Sequence, residues 1–400
     1  MTTPANRRSA ARRPRPVAAL LLCAALAAAT RAQTPPDTRD QPADKEWTPK
    51  SGVDVHARLI LRQTQARRQT DAVIWVHPDQ PAYSTVIVAD PAADRLFVYD
   101  ATGKCLQRVP AINATEVDLR YDVNLGDNRR GDVVVALRRS KFGRLLIYAV
   151  DAKTRTLTRL DNNRVYVGDM QAMCLYKSLT SDKLYAVVAE TTGAIRYYEL
   201  IPDEDGGLTK SRERGAHHQV LGACEGLLAD DENAALYVAE KDRCIYRYGA
   251  EPDDPAKGKP LVLARNDDLG DTMTDMAMYT RADGAGYLLV AGTDAGRICV
   301  YDRRDPKRYL GSFVVRGCDS PATIAAVSVP MLAPFDRGLV VCHDNRRSRH
   351  TGPRLVPWRK LAGHLQLPDE PKAATPWRPR NAARLQPSPT PADKTPPRRR

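Results

Sequence analysis

Apolar stretches of three or four residues that close on a small side chain recur along the chain at nearly even spacing. The first occupies residues 86–89 and the last residues 339–342, and the closing residues stand 47, 53, 50, 52 and 51 positions apart. Nine to twelve positions after most of them, a second short stretch ends in an aromatic residue. The closing residues are Ala89, Ala136, Ala189, Ala239, Ala291 and Cys342, and the aromatic residues are Tyr99, Tyr148, Tyr198, Tyr248, Tyr301 and Trp358.

This repeat predicts an all-β protein built from six similar units. A period of about 50 residues, made of short strands and turns without a helical stripe of apolar positions, is typical of a β-propeller. The apolar stretches are predicted to be inner strands that are buried on both faces. Residues 53–61 alternate in polarity and predict an N-terminal strand that completes the last blade and so removes free sheet edges. We therefore expect a six-bladed β-propeller with about 50 residues per blade.

The first 32 residues have the pattern of a secretory signal peptide. Arginines precede an apolar run at residues 17–29, and small residues then offer cleavage after Ala32 or Ala29. The apolar run is shorter than the roughly 20 residues that a membrane-spanning helix needs. We expect a secreted or periplasmic protein without a membrane span.

Both flanks of the repeat are rich in proline and charge. Residues 33–50 and 368–400 lack the apolar content that would offset the cost of ordering the chain, so we expect both to be disordered and residues 51–367 to form the propeller. Of the net charge of +13, all but about +2 lies in residues 1–33 and 368–400. A basic groove for nucleic acid is therefore not expected on the folded part. We expect a monomer.

Seven cysteines remain once Cys23 of the predicted signal peptide is set aside. No pair has the spacing of a zinc or redox motif, and a disulfide scaffold is not expected in a chain of this length. A single bridge between Cys224 and Cys244 is permitted in an oxidising compartment. Most of the cysteines are expected to be small core residues.

Three motifs occur in order on the six-unit repeat. They are residues 70–78 (TDAVIWVHP), residues 117–122 (VDLRYD), and residues 224–232 (CEGLLADDE) followed by residues 237–242 (YVAEKD). Together they resemble the corresponding stretches of the β-propeller phytases, and the similarity extends from about residue 53 to residue 367. This resemblance implies a secreted six-bladed propeller.

The resemblance also implies a calcium-dependent phosphomonoesterase that releases phosphate from phytate (inositol hexakisphosphate) or another phosphate ester. It assigns calcium-binding carboxylates to Asp71, Glu225 and Glu240, and phosphate contacts to Arg120 and Arg139. Calcium takes about six to eight oxygen ligands, so several carboxylates have to converge. Arginine binds phosphate oxygens through two parallel hydrogen bonds. The resemblance assigns no catalytic residue.

The chain departs from the family pattern at several calcium-binding positions. Residues 272–275 read TMTD, which loses two ligand carboxylates, and residues 316–325 keep Asp319 as their sole acid. Asp271, Asp275 and Asp344 are weaker candidates for replacing the lost ligands. Because calcium affinity falls as charged ligands are withdrawn, we expect fewer calcium ions and weakened activity.

The candidate residues also allow structural interpretations. Asp71 suits a turn or the end of a strand, and Arg120 suits an ion pair with Asp118 or Asp122. Glu225 and Glu240 would then lie on solvated loops.

Two further functional hypotheses stay open at this point. One is a catalytically inactive propeller that binds phosphorylated inositol or another polyanion through Arg120, Arg139 and the arginines of residues 316–349. The other is a plain interaction scaffold outside the cytoplasm. Calcium-dependent phosphate release, tight binding without release, or neither would distinguish the three hypotheses.

Overall fold

The computed structural model describes residues 49–252, 261–262, 269–344 and 352–371. Within these residues the chain forms 26 β-strands that assemble into six sheets. The innermost strand of each sheet packs against the innermost strands of the two neighbouring sheets, which closes the sheets into a ring. The predicted six-bladed β-propeller is confirmed. The predicted signal peptide, nearly all of the predicted linker and the tail from residue 372 onwards lie outside the described residues.

Two short strands precede blade one in the sequence. The strands of each blade are given from the innermost outwards. The preceding strands are β1 (Lys50–Val55) and β2 (Leu59–Ile60). Blade one contains β3 (Asp71–Trp75), β4 (Thr85–Asp90), β5 (Arg95–Asp100) and β6 (Cys105–Pro110). Blade two contains β7 (Ala114–Asn124), β8 (Arg130–Arg138), β9 (Gly143–Asp151) and β10 (Thr156–Arg159), and β11 (Tyr166–Gly168) also pairs with β9. Blade three contains β12 (Met170–Lys177), β13 (Leu184–Glu190), β14 (Ala194–Ile201) and β15 (Lys210–Gln219).

The last three blades follow the same order, and one α-helix comes after them. Blade four contains β16 (Cys224–Asp230), β17 (Ala235–Glu240), β18 (Cys244–Gly249) and β19 (Leu261–Val262). Blade five contains β20 (Met273–Thr280), β21 (Gly286–Gly292), β22 (Arg297–Asp302) and β23 (Tyr309–Val315). Blade six contains β24 (Pro321–Val327), β25 (Leu339–Asp344) and β26 (Arg354–Pro357), and the helix is α1 (Trp358–Leu365). No helix in the described part of the chain is long and apolar enough to cross a membrane.

The N-terminal segment closes the ring through two strands instead of the single strand predicted for residues 53–61. β1 lies parallel to β23 as a fifth strand of blade five, with Val53 opposite Phe313. β2 lies antiparallel to β26 as the fourth strand of blade six, with Leu59 opposite Leu355. The last blade is therefore completed by the N-terminal segment, as predicted.

The repeated apolar stretches form the second strand of each blade, and their prediction as inner strands buried on both faces is confirmed. In β4, Ile87 and Ala89 pack between blades one and two, whereas Val86 and Val88 pack between blades one and six. Each of the six apolar clusters likewise joins two neighbouring blades. The second strand of a blade is paired with a strand on each edge, and a neighbouring blade packs on each of its faces. Apolar residues therefore suit every position of this strand. The innermost strand borders the central channel and is more polar at its ends.

Residues 356–358, predicted as a strand ending in an aromatic residue, belong to two elements. β26 ends at Pro357, and Trp358 begins α1. The buried residues of the helix are Trp358, Leu361, Ala362 and Leu365, which have the spacing of one helical face. Trp358 stacks on Tyr279 of blade five with ring centroids 3.8 Å apart. The helix therefore covers the core between blades five and six.

The permitted disulfide between Cys224 and Cys244 does not fit the sheet. Both residues pair with Glu240, Cys224 from one side of β17 and Cys244 from the other. Two strand spacings amount to about 9.5 Å, whereas bridged cysteines have Cα atoms less than about 7 Å apart. The seven described cysteines are free thiols, and five of them are buried, as expected for core residues.

Candidate functional site

A cavity of about 280 Å³ runs along the centre of the ring. It extends from Asp71, the first residue of β3, to Asp230, the last residue of β16. We call the end at which the six innermost strands begin the channel mouth, and the opposite end the channel exit. The predicted site residues lie at different levels between these two ends.

Three aspartates on innermost strands make the same contact between blades. In Asp71, Asp118 and Asp275, one carboxylate oxygen accepts the N–H of the next residue at 2.7 Å. The other oxygen accepts an N–H from the innermost strand of the next blade, also at 2.7 Å. The donors are Val117, Leu175 and Ile324. These aspartates therefore hold blade one to two, two to three, and five to six.

Carboxylates at the channel mouth raise one another's pKa. Burial raises the pKa of Asp275 to about 7, and Asp118 contributes to the rise. Burial, followed by the charges of Asp275 and Glu116, raises the pKa of Asp71 well above its usual range. The pKa of Glu116 is likewise raised by burial and by Asp275. Asp71, Glu116 and Asp275, from blades one, two and five, therefore form one acidic cluster, which we call the mouth cluster.

Glu116 is the functional candidate that the sequence analysis missed. It lies on β7 two residues before Asp118, and it lines the cavity. Among the described residues, no hydrogen bond or ion pair holds its carboxylate, whereas the other two acids of the cluster each accept two N–H groups. The sequence signal that could have identified Glu116 was its position directly before the VDLRYD motif. Only the folded structure shows that it faces acids from other blades.

The two predicted glutamate ligands lie in different environments. Glu225 is close enough to raise the pKa of Glu116, and its carboxylate lies 3.7 Å from Lys241 Nζ. Glu240 ends a second strand and is completely buried. Its carboxylate accepts hydrogen bonds from Tyr246 Oη at 2.9 Å and from the Gly222 N–H, within blade four. Glu225 thus lies near the mouth cluster, to which Asp71 belongs, whereas Glu240 is held inside a blade.

The weaker metal candidates are also separated from one another. Asp275 belongs to the mouth cluster. Asp271 is exposed in the loop before β20, and Asp344 is buried at the end of β25, where it accepts the Asp319 N–H at 3.0 Å. Neither Asp271 nor Asp344 lines the cavity.

Arg120 lies deeper in the channel and is bound to other parts of the protein. Its guanidinium lies 3.0 Å from Asp118 and 2.7 Å from Asp231, and it donates to the carbonyls of Leu175 and Ala229. Burial disfavours its charge, but Asp118 and Asp231 outweigh that effect and hold its pKa above the usual range. Burial raises the pKa of Asp231 to about 6, although Arg120 opposes the rise. The structural pair of Arg120 with Asp118 is present, and its predicted phosphate contact stays a prediction.

Arg139 is placed differently. It follows β8 at the channel mouth, its side chain is exposed, and its charge lowers the pKa of Glu116. Within the described segments, its guanidinium has no ion pair and no hydrogen bond. This guanidinium is therefore available to an anion that enters the mouth.

A buried ion pair lies at the channel exit. Arg303 of blade five donates to both oxygens of Asp230 in blade four, at 2.7 and 2.5 Å, and also to Glu232 at 3.0 Å. The bidentate geometry joins the two blades at the exit end of the cavity. The charged groups of this ion pair are therefore bound to one another.

The mouth cluster fits a hard cation by its chemistry, although its side chains do not form a closed ligand set. Carboxylate oxygens are the ligands that calcium prefers, and mutual repulsion among acids is relieved when a cation binds. In the described part of the chain, no group of three or more His, Cys, Asp or Glu side chains is positioned to hold a metal ion. Calcium binding would therefore need some movement of these side chains.

Comparisons with known proteins agree with the motifs. The family model described as phytase matches residues 42–365. A curated 3-phytase of Bacillus subtilis (strain 168) is 28% identical over 325 residues, which cover 76% of this chain and 84% of that protein.

Proposed function

The chain belongs to the phytase family, and on this premise we propose that it is a phosphomonoesterase that releases phosphate from phytate. The similarity to a 3-phytase supports this substrate. One observation carries the proposal: the mouth cluster and Arg139 lie at the same end of the channel. Acids that repel one another favour a cation, and a free guanidinium favours a phosphate group.

The residues of the mouth have separate roles in this proposal. Glu116 has the carboxylate most available to a calcium ion, and Asp71 and Asp275 supply further oxygens while they hold the blades together. A bound calcium ion would supply the positive charge that polarises a phosphate ester towards attack by water. Arg139 would bind and orient the phosphate from the rim. Arg120 fixes the wall of the channel through Asp118 and Asp231.

We propose that activity is weak because hydroxyl groups occupy part of the mouth. Thr70 Oγ1 donates to the Thr115 carbonyl at 2.8 Å, and Thr323 Oγ1 donates to the Thr70 carbonyl. Thr274, at a position where the family resemblance implies an acid, shares a hydrogen bond of 2.7 Å with Thr293. These hydroxyls are engaged with the protein and bring no negative charge, so fewer calcium ions are expected than in a fully acidic mouth.

The same replacements favour a second candidate function, in which the propeller binds phosphorylated inositol without hydrolysing it. In that case Arg139 would bind the polyanion at the mouth and no phosphate would be released. A scaffold that binds neither calcium nor phytate is the third possibility.

A calcium titration in the presence of phytate tests the proposal. Binding heat and released phosphate are followed for wild type, E116Q and the control E204Q, which alters an exposed loop glutamate. We expect E116Q to need roughly tenfold more calcium for half of its maximal phosphate release, because one negatively charged ligand is lost. E204Q should behave as wild type.

The other outcomes separate the hypotheses. Equal titrations for E116Q and wild type would show that the mouth cluster does not hold calcium. Binding heat without phosphate release identifies an inactive binder of polyanions, and neither signal identifies a scaffold.

We also propose that residues 1–32 direct export to the periplasm or the exterior, from the charged, apolar and small-residue pattern of that segment. Mass spectrometry of the mature N-terminus measures this directly. We expect the mature chain to begin at Gln33 or Thr30, and an intact Met1 in cytoplasmic protein would contradict export.

A further inference from the structure

Two cysteines that are 24 positions apart in the sequence meet in the core between blades five and six. Cys318 lies in the loop between β23 and β24, and Cys342 lies within β25. Their exposed fractions are 1% and 0%. Both side chains belong to the same buried core, and the Cys342 thiol lies close enough to Cys318 to raise the pKa of the Cys318 thiol. The sequence analysis did not single out this pair.

The contacts around the two cysteines hold them at the same place. Asp319, next to Cys318, donates its N–H to Asp344, which is two residues after Cys342, at 3.0 Å. The Cys318 N–H donates to the Val315 carbonyl at 2.8 Å, which fixes the start of the loop. The loop is therefore joined to β25 by the hydrogen bond from the Asp319 N–H to the Asp344 carboxylate, which does not involve the sulfur atoms.

Arg354 adds a positive charge beside the pair. It lies opposite Cys342 on β26, and a Cβ built on Gly317 would lie 3.1 Å from its Nη2. Arg354 is 4% exposed, and its Nε and Nη1 have no hydrogen-bond partner among the described residues. A cation next to a thiol favours the thiolate, which is the form that attacks a disulfide. Its charge acts on Cys318 in this direction.

We propose that Cys318 and Cys342 form a disulfide bond when the chain folds in the presence of a low-molecular-weight disulfide. The Cys318 thiolate attacks one sulfur of the oxidant and releases a thiol, and the Cys342 thiolate then displaces the second thiol from the mixed disulfide. The protein loses two protons and two electrons, and the oxidant gains both as it becomes two thiols.

The position of the pair determines when the bond forms and what it fixes. Both sulfur atoms are buried in the folded protein, so an oxidant reaches them most easily before the core has closed, and the bond forms during folding. The bridged loop contains Ser320, whose Oγ donates to the Thr293 carbonyl of blade five at 2.9 Å. The bond therefore fixes the loop that joins blades five and six at the channel mouth.

Oxidative refolding of the full chain tests the proposal. Wild type is unfolded in urea, refolded with oxidised glutathione, alkylated without reduction and digested for mass spectrometry. We expect a cross-linked peptide pair that contains Cys318 and Cys342, with Cys224 and Cys244 both alkylated. We also expect that adding a reductant lowers the Tm by about 5 °C, because closing a loop of this length stabilises the fold.

Two variants and a matched control complete the experiment. C342A should lose the cross-linked peptides and the response of the Tm to reductant, and C318A should do the same. C299A, which removes a buried cysteine from the core between blades four and five, should keep both. Peptide mapping of wild type decides the proposal even if a variant fails to fold. Alkylation of both Cys318 and Cys342 after oxidative refolding, or linkage of either one to a different cysteine, would overturn it.

Discussion

At the scale of single residues, the acids of the channel mouth both stabilise the ring and repel one another. Asp71 and Asp275 each accept an N–H from the next blade, which contributes to closure. The same burial that makes these hydrogen bonds effective makes the negative charges costly, so the pKa of each acid rises. Protonation or a bound cation relieves this cost. A residue that holds two blades together is thereby also suited to bind a cation.

The raised pKa of Asp275 predicts a specific effect of pH on stability in the absence of calcium. The folded pKa of about 7 exceeds the ordinary value of 3.8, so the folded state binds the proton more tightly than the unfolded state. This stabilisation is complete below about pH 4 and is lost as the pH rises through about 7. In EGTA, the free energy of unfolding of wild type should therefore fall relative to D275N between these pH values. Urea titrations at a series of pH values measure the difference.

The matched control for that measurement is D283N, since Asp283 is exposed and far from the cluster. The difference in the free energy of unfolding between D283N and wild type should not show the same dependence on pH. A difference between wild type and D275N that is constant from pH 4 to pH 7.5 would contradict the raised pKa.

Arg139 gives the second prediction at this scale. R139A should raise the KM for phytate about fivefold and leave the calcium requirement nearly unchanged, because an exposed charged contact to substrate is worth about 1 kcal/mol. Steady-state phosphate release at two salt concentrations measures the effect, which should shrink at high salt. R304A removes an exposed arginine beyond the end of β22, at the channel exit, and should match wild type. Equal KM values for R139A and R304A would remove Arg139 from the site.

At the scale of elements, each blade divides its strands by environment. Second strands such as β4 have apolar contacts on both faces and carry the core. Innermost strands place polar side chains at the mouth and still make hydrogen bonds to the next blade. The helix α1 adds one more layer, because its apolar face covers the core of blades five and six.

The helix provides a prediction about stability. W358A should lower the free energy of unfolding by about 3–5 kcal/mol, because it leaves a cavity next to Tyr279 and removes a stacked ring. Urea unfolding followed by circular dichroism measures the loss. K360A alters an exposed residue of the same helix and should change stability by less than about 0.5 kcal/mol. A small effect of W358A would show that α1 does not contribute to the core.

At the scale of the whole molecule, stability depends on closing the ring with strands that are distant in the sequence. β1 joins blade five and β2 joins blade six, more than 250 positions from their partners. Without them, β23 and β26 would have free edges, which favour pairing with other chains. The N-terminal segment is thus part of the fold although it precedes the first blade.

Truncation tests this closure. A chain that starts at residue 49 should keep a cooperative unfolding transition and the oligomeric state of the full chain in size-exclusion chromatography. A chain that starts at residue 62 lacks β1 and β2, and it should aggregate or lose at least about 10 °C in Tm, since two blades lose their outer strands. Equal Tm values for the two chains would mean that the ring is closed without the N-terminal strands.

The sequence by itself determined the number of blades and the closure by the N-terminal segment. Both follow from local patterns. The six apolar stretches, of which the first ends at Ala89 and the last at Cys342, recur because every blade needs the same buried strand. The alternation of polarity in residues 53–61 reflects a half-buried strand. The identity of Asp71 and Glu225 as mouth residues also followed from motifs. The apolar face of the helix that begins at Trp358 is present in the sequence, but the repeat favoured a strand that ends at this residue.

Only the tertiary structure decided which residues from different blades meet. Glu116 faces Asp275 across the channel and Cys318 reaches Cys342, whereas Glu240, which shares its motif with Glu225, is held inside blade four. Sequence spacing does not encode these encounters, because each depends on the register of strands in separate sheets and on the rotation between blades. Burial and mutual repulsion, which set the pKa values of the mouth, arise only once the ring has closed.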